Sequence, residues 1–493
     1  MPSADRTRSP HRAALIAILV AAGLSRGALP CGAADELYRA AQQLKAAQAA
    51  EIEELAAWCE TQGLNRQATE TRRVLGPRDP YKLYVKILPK EVGPAKRPAD
   101  ASADVLEFDR RLTRLRHEQA DALYDLARRA VRAGRASLAF DLVLVAIRFN
   151  PDHEPVRRVL GYQEYRGQWR TGEEVRRLRS GQVWHEKFGW LPKSHVPRYE
   201  QGMRYTSGRW VSAEEDARLH ADIHSGWDIQ TEHYTIRTNH SIEAAVALGV
   251  KLERLKRIWQ QIFIRYYASA ADVIALFDGR ARRNRPPHYD VVYFRNRDDY
   301  NRALRASMPN IGVSIGVYVD QTRRAYFFAG EDYDDRTLYH EATHQLFHQT
   351  RPVPPGIGSR ANFWIVEGIA LYMESLHEEN GYYVLGGLDD HRMYAARYRL
   401  LESKFYVPLQ ELAGYNVQRL QTDPRIATLY SQAAGLTHFL IYYEEGRYRD
   451  ALVSYLSTVY AGRDTPGTLA ELTGSSFDEL DKQYRAFIES TAP

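Results

Sequence analysis

The spacing of apolar and polar positions divides the chain into stretches of different period. Residues 35–75 are rich in Ala, Leu, Glu and Gln, with no glycine or proline before Gly63, and predict helix. Residues 78–105 are interrupted by prolines and predict a short extended piece followed by a linker. Helical periodicity returns over 107–166. From Trp227 the character changes: WDIQTEHYTIRTN alternates as a strand does, and SIEAAVALGVKLERLKRIWQQIFIRYY is a long amphipathic helix opening on Ser241 as its cap. YDVVYFRNRDDYNRAL reads as strand then helix, and residues 311–329 as two strands around a turn near Asp320–Thr322.

Two shorter patterns lie within this frame. LYDLARRAVRAGRASLAFDLVLVAIRFNP resembles one tetratricopeptide-type hairpin, with Leu126, Gly134, Ala139, Ala146 and Pro151 at the spacing that lets two helices cross and then stop. A solenoid needs about three copies and one is legible, so an ordinary helical hairpin accounts for the pattern as well as a peptide-binding array does. GQWRTGEE (167–174) and GRWVSAEE (208–215) share Gly-x-Trp-x-Ser/Thr-x-Glu-Glu at an offset of 41 residues. Each predicts a turn, a strand anchored by Trp169 or Trp210, and a short helix capped by Thr171 or Ser212. A spacer held to its neighbours by tryptophans is favoured over a duplicated binding module.

The N-terminus carries Arg6, Arg8 and Arg12, an apolar run from Ala13 to Leu24, and then small residues. This is the pattern of a secretory signal peptide over residues 1–34, so the expectation is export to a periplasmic or extracellular space; an uncleaved membrane anchor is the alternative. No later segment reaches ~18 uninterrupted apolar residues. Removing residues 1–34 takes four arginines and Asp5 from the formal charge of +5 and leaves +2, which gives no ground for a nucleic-acid partner. Only Cys59 then remains, so stability must come from the core and not from disulfides. The basic loop GRARRNRPP (279–287) reads as a solvated surface loop.

The chemistry concentrates in LYHEATHQLFHQ, residues 338–349. Asp334 and Asp335 predict a helix start, and Arg351 and Pro352 its end. His340 and His344 then stand one turn apart with imidazoles able to converge on one ion, Glu341 between them. His348 is eight residues from His340, about 12 Å along the axis, and cannot join the same coordination sphere. After a Pro/Gly-rich turn comes FWIVEGIALYMESLHEE, apolar nearly all round and therefore buried, yet containing Glu367. A buried carboxylate demands compensation, and metal coordination is one form of it. Gly368 would remove a side chain where this helix crosses the histidine helix.

These two helices resemble the zinc-binding core of gluzincin metallopeptidases, with the signature His-Glu-x-x-His followed by Trp-x-x-Glu-Gly-x-Ala-x-Tyr, here HEATH (340–344) and WIVEGIALY (364–372). More narrowly, residues 227–493 resemble the bacterial peptidase MA-like families, over a little more than half the chain. The resemblance implies Zn²⁺ held by His340, His344 and Glu367, with Glu341 as general base. In the thermolysin branch an acidic residue four positions after the ligand glutamate supports a zinc-bound histidine. Leu371 occupies that position here, so Glu374, two turns along the same face, is the candidate support. Similar families carry a tyrosine at the start of the run TLYSQAAGLTHFLIYYEEG (428–446), which makes Tyr430 the candidate oxyanion donor and His438 the second; a core tyrosine with a bonded hydroxyl is the alternative.

The expectation is therefore an α+β protein of four parts: a signal peptide (1–34), a helical region with one tetratricopeptide-like hairpin (35–166), Trp-anchored spacer modules (167–226), and a zincin-like α+β catalytic domain with a helical C-terminal subdomain (227–493). The function expected is zinc-dependent hydrolysis of a peptide or protein. Its rivals are a secreted helical scaffold that binds a partner through residues 35–225 around a structural metal, and a zinc hydrolase of a non-peptide amide or ester.

Overall fold

A computed structural model describes residues 31–93, 101–280, 287–331 and 334–491. The expected signal peptide lies outside the described residues. The architecture is mixed α+β, and no helix among the described residues is long and apolar enough to cross a membrane.

The N-terminal region is built from α1 (Cys31–Thr61), α2 (Asn65–Arg73), β1 (Lys82–Lys86), α3 (Ala103–Arg132) and α4 (Ala136–Phe149). Ser102 caps α3 by accepting from the Val105 amide. Gly134, at φ +75°, turns α3 back into α4, a conformation that costs a glycine little. The hairpin buries Leu123, Leu126 and Ala130 against Ala139, Leu142 and Ala146, and the same core takes in Ile264, Val273 and Phe277 from far downstream. The helical region is thus packed into the rest of the chain.

Three hairpins follow: β2–β3 (Tyr162–Tyr165, Gln168–Thr171), β4–β5 (Gln182–His185, Gly189–Pro192) and β6–β7 (Met203–Thr206, Arg209–Ser212). The 41-residue offset read from the sequence spans two copies, with a middle one between. Each copy opens on a glycine at positive φ, Gly161, Gly181 and Gly202, giving steps of 20 and 21 residues. The middle copy keeps Gly189-Trp190 and lacks Ser/Thr-x-Glu-Glu, so a 3₁₀ turn and a five-residue helix stand where the others place capped helices. Thr171 and Ser212 cap those helices as expected. Trp169 is buried and donates to Asp152 of the helical region at 2.6 Å, and Trp210 packs against His195 and Arg198 of the preceding copy. These contacts are those of an anchored spacer.

A five-stranded sheet carries the rest. WDIQTEHYTIRTN forms two strands, β8 (Trp227–Gln230) and β9 (Tyr234–Thr238), around a turn. α5 (Ile242–Ile262) then covers the sheet with Ser241 as its cap, and β10 (Tyr289–Phe294), β11 (Val317–Val319) and β12 (Arg324–Phe328) complete it in the order β11-β12-β10-β9-β8. The three middle strands run parallel and both edge strands antiparallel to their neighbours. Residues 311–313 form a 3₁₀ turn in place of the expected strand start.

Next come α6 (Asp335–Gln349), α7 (Phe363–Met373), β13 (His377–Glu379), β14 (Tyr382–Gly386), α8 (His391–Leu401), α9 (Ile426–Tyr442), α10 (Arg449–Val459) and α11 (Phe477–Ser490). α6 packs on β11, β12 and α5; α7 lies between α6 and α9. β14 pairs antiparallel with β1 along its whole length, Lys82 opposite Gly386 and Lys86 opposite Tyr382. Gly368 differs from the sequence expectation: it faces α9, not α6. A Cβ there would lie 2.5 Å from Thr437 Oγ1 and 2.9 Å from the Ala433 carbonyl. Gly368→Ala is therefore expected to destabilise the fold by about 1–3 kcal/mol through overpacking. Gly312→Ala, where a Cβ meets nothing within 4 Å, is expected to leave the thermal midpoint unchanged; parallel melting curves of the two variants check this.

Candidate metal centre

Asp334 starts α6 by accepting from the Arg336 amide. The helix carries Leu338, Tyr339, Ala342, Leu346 and Phe347 into the core and leaves His340, Glu341 and His344 at its margin. The Nε2 atoms of His340 and His344 lie 3.1 Å apart. Glu367 arrives from α7, a helix buried at every position and itself only 7% exposed. Its Oε2 lies 3.5 Å from His340 Nε2 and 4.0 Å from His344 Nε2.

One donor atom from each of the three residues falls within 4.8 Å of the others. A tetrahedral ion with bonds of about 2.0–2.1 Å separates its ligands by roughly 3.3–3.4 Å, so this spacing fits a single small cation. His340, His344 and Glu367 thus form a His/Glu group able to hold a metal.

What orients this group lies around it. His340 Nδ1 donates to Glu374 Oε1 at 2.8 Å, which directs Nε2 of the same ring towards the site. Glu374 is the support expected from its place on the same face as Glu367, and Leu371 is core. Arg392 of α8 donates to both Glu374 oxygens, Nε at 2.8 Å and Nη2 at 3.1 Å, so this buried carboxylate is paired twice. The Tyr430 hydroxyl lies beside Glu367 and acts on its charge. Glu341 stands outside the three-residue group and accepts from the Tyr318 amide of β11 at 2.8 Å.

Asn362 fixes where α7 begins. It takes a left-handed conformation, φ +56°, and is fully buried. Its side-chain amide donates to Asp464 and the Thr465 carbonyl, its Oδ1 accepts from Tyr455, and its own N–H reaches the Ala413 carbonyl. Asparagine before an apolar run reads as an ordinary helix cap, and no sequence signal marks these distant partners. His348 packs between the rings of Tyr318 and Tyr460, outside the group, as the helix geometry requires. His438 lies in the core: its Nδ1 bonds the Ala434 carbonyl and its ring packs on Tyr372. That placement removes it as the second oxyanion candidate.

Burial and charge pairing pull the group in opposite directions. Burial opposes a proton on His340, and the hydrogen bonds to Glu367 and Glu374 outweigh it, raising the pKa to about 10. Burial pushes His344 down to about 3, with repulsion from His340 adding to it and attraction to Glu367 opposing. Burial likewise pushes Glu341 up to about 7 against the pull of His340. For Glu367 and Glu374 burial is again the largest influence, but the neighbouring histidines, and Arg392 at Glu374, hold both carboxyls below the usual range.

Residues 335–463 match a family described as a protein of unknown function (DUF1570). The matched stretch runs from the first residue of α6 to just past α10 and contains the three candidate ligands, Glu341, Glu374, Arg392 and Tyr430. No curated protein matches the chain. Removing the carboxylate behind His340 tests the geometry: Glu374→Ala should weaken binding of a divalent ion by about 10–100-fold. His348→Ala should leave affinity and stoichiometry as in the wild type, both measured by competition with a chelating dye.

Proposed function

We propose that the chain is an exported zinc peptidase of the gluzincin type, with His340, His344 and Glu367 holding the ion. The single observation that carries this reading is that Glu341 is held by a backbone amide and is not one of the three grouped residues. Glu341 sits beside His340 in sequence, yet its carboxylate bonds the Tyr318 amide and points to the edge strand of the sheet. A closed structural site would need a fourth protein ligand, and among the described residues the group numbers three.

Two imidazoles with one carboxylate suit zinc among the common divalent ions, and zinc supplies a Lewis acid that polarises a carbonyl and acidifies water. Glu341, lifted by burial towards neutrality, accepts the proton of the attacking water and passes it to the leaving amine. The Tyr430 hydroxyl, next to Glu367, donates to the oxyanion that forms on the carbonyl. The bond from His340 to Glu374, which Arg392 holds in turn, keeps His340 in one orientation throughout. Because the Tyr318 amide points away from β12, alternation along an antiparallel pair turns the Tyr318 carbonyl outward as well. That carbonyl can accept from the backbone of an extended peptide lying along β11.

Glu341→Gln is expected to retain one zinc per chain and lose cleavage of a peptide library. Absence of stoichiometric zinc from the wild type, or equal cleavage by both proteins, would overturn the proposal. Tyr430→Phe is expected to lower kcat by about 10²–10³ with little change in KM, read from steady-state kinetics on the best library peptide.

A further inference from the structure

A second site lies between the N-terminal helices and the C-terminal half. Here α1, α4, β1 and the loop 75–80 enclose a cavity of about 450 Å³ that also reaches α9. This is the size of a small-ligand pocket. It is separate from the metal centre: Tyr442 lines it, while Tyr430 sits twelve residues earlier on the same helix, about 18 Å away along the axis. Leu75, Leu138, Leu144 and Phe149 give it apolar walls.

Charged groups share that lining, Lys45, Arg78, Lys82 and Arg449 among them, and Arg148 is the cation buried in it without a carboxylate partner among the described residues. Among the described residues its one hydrogen bond is a long one, Nη1 to the Pro77 carbonyl at 3.4 Å, and no carboxylate pairs with it. The acids that line the cavity are already engaged. Both Asp141 oxygens accept from Arg449, Asp79 accepts from the Tyr81 amide, and Glu445 accepts from Gln42. Gly76 keeps the space beside the guanidinium clear, since a Cβ there would lie 3.1 Å from Arg148 Nη1. Burial holds the Arg148 pKa below its usual value. Further along β1, Lys86 is lowered too, first by burial and then by repulsion from Arg116, Arg148 and Arg157. Arg116 bonds the Phe149 carbonyl, and Arg157 bonds the Pro151 and Pro89 carbonyls and lies over the rings of Tyr162 and Trp169. A cluster of cations therefore lies beside the cavity; Glu70 offsets Arg116 and Asp152 offsets Arg157, while no acid among the described residues offsets Arg148, and uncompensated buried charge is costly.

We propose that this cavity binds a monoanionic ligand with an apolar body, its carboxylate paired with Arg148. The planar guanidinium matches a carboxylate with two parallel hydrogen bonds, and the leucine and phenylalanine walls take an aliphatic or aromatic remainder. Such a carboxylate occurs on a free organic acid and at the C-terminus of an apolar peptide.

Titration calorimetry of the full chain with octanoate tests this. The expected result is one octanoate per chain, bound at least tenfold more tightly than octan-1-ol or octylamine and at least tenfold more weakly by Arg148→Gln. Acetyl-Leu-Leu and its C-terminal amide separate the two sources. Tighter binding of the free-acid peptide than of octanoate assigns the peptide terminus, and the reverse assigns the free acid. A measurement on the wild type makes the test independent of how the variant folds: octanoate should slow modification of Arg148 by phenylglyoxal, followed by peptide mass mapping. Octanoate bound no better than octylamine, unchanged binding by a folded Arg148→Gln, or no protection of Arg148 overturns the proposal.

Discussion

Burying a carboxylate on α7 is the constraint from which the His/Glu group follows. Every residue of α7 is buried, so Glu367 has no aqueous side on which to keep its charge. Positive partners must be brought to it, and α6 supplies two imidazoles at one-turn spacing while Tyr430 adds a hydroxyl. Each compensation calls for another. His340 is held by Glu374, itself buried, and Glu374 is held by Arg392. The chain of pairs ends at α8, where Arg392 lies nearer the surface and its charge is less costly.

Those parts of the site that depend on local periodicity were legible in the sequence. Four-residue spacing brought the imidazoles of His340 and His344 together and excluded His348, and an acidic residue inside an apolar run marked Glu367. Glu374 was legible because seven residues return to the same face of a helix. Arg392 and Asn362 were not, since their roles consist of hydrogen bonds to partners 18 and about 100 residues away. Gly368 was assigned to the wrong crossing for a related reason: a helix apolar on all sides gives no cue to which neighbour lies against which face. The middle hairpin was missed because Ser/Thr-x-Glu-Glu encodes a cap, and that copy has none, while the glycine-led turn it shares with the others is a weaker mark.

The same distinction applies to architecture. Helices and strands were found largely where composition and alternation put them, but their assembly was not divided as the linear order suggests. β1 comes from the N-terminal region and completes a sheet with β13 and β14 from the C-terminal half. Arg449 reaches back to Asp141, and the Ser137 amide to Asp450. The helical region is thus a structural wall of the C-terminal half, and the cavity beside Arg148 exists because the two meet there.

The contact between Glu341 and Tyr318 also bears on how the sheet meets other chains. Open strand edges invite indiscriminate pairing, and proteins that keep them short or covered avoid aggregation. β11 is three residues long, and the one amide it turns outward is held by a carboxylate of the same molecule. At the opposite edge, Trp227 of β8 is tied by its indole to Asp216 of the spacer. A foreign strand therefore meets a stub with an acceptor and no free donor, too little to template a growing ladder.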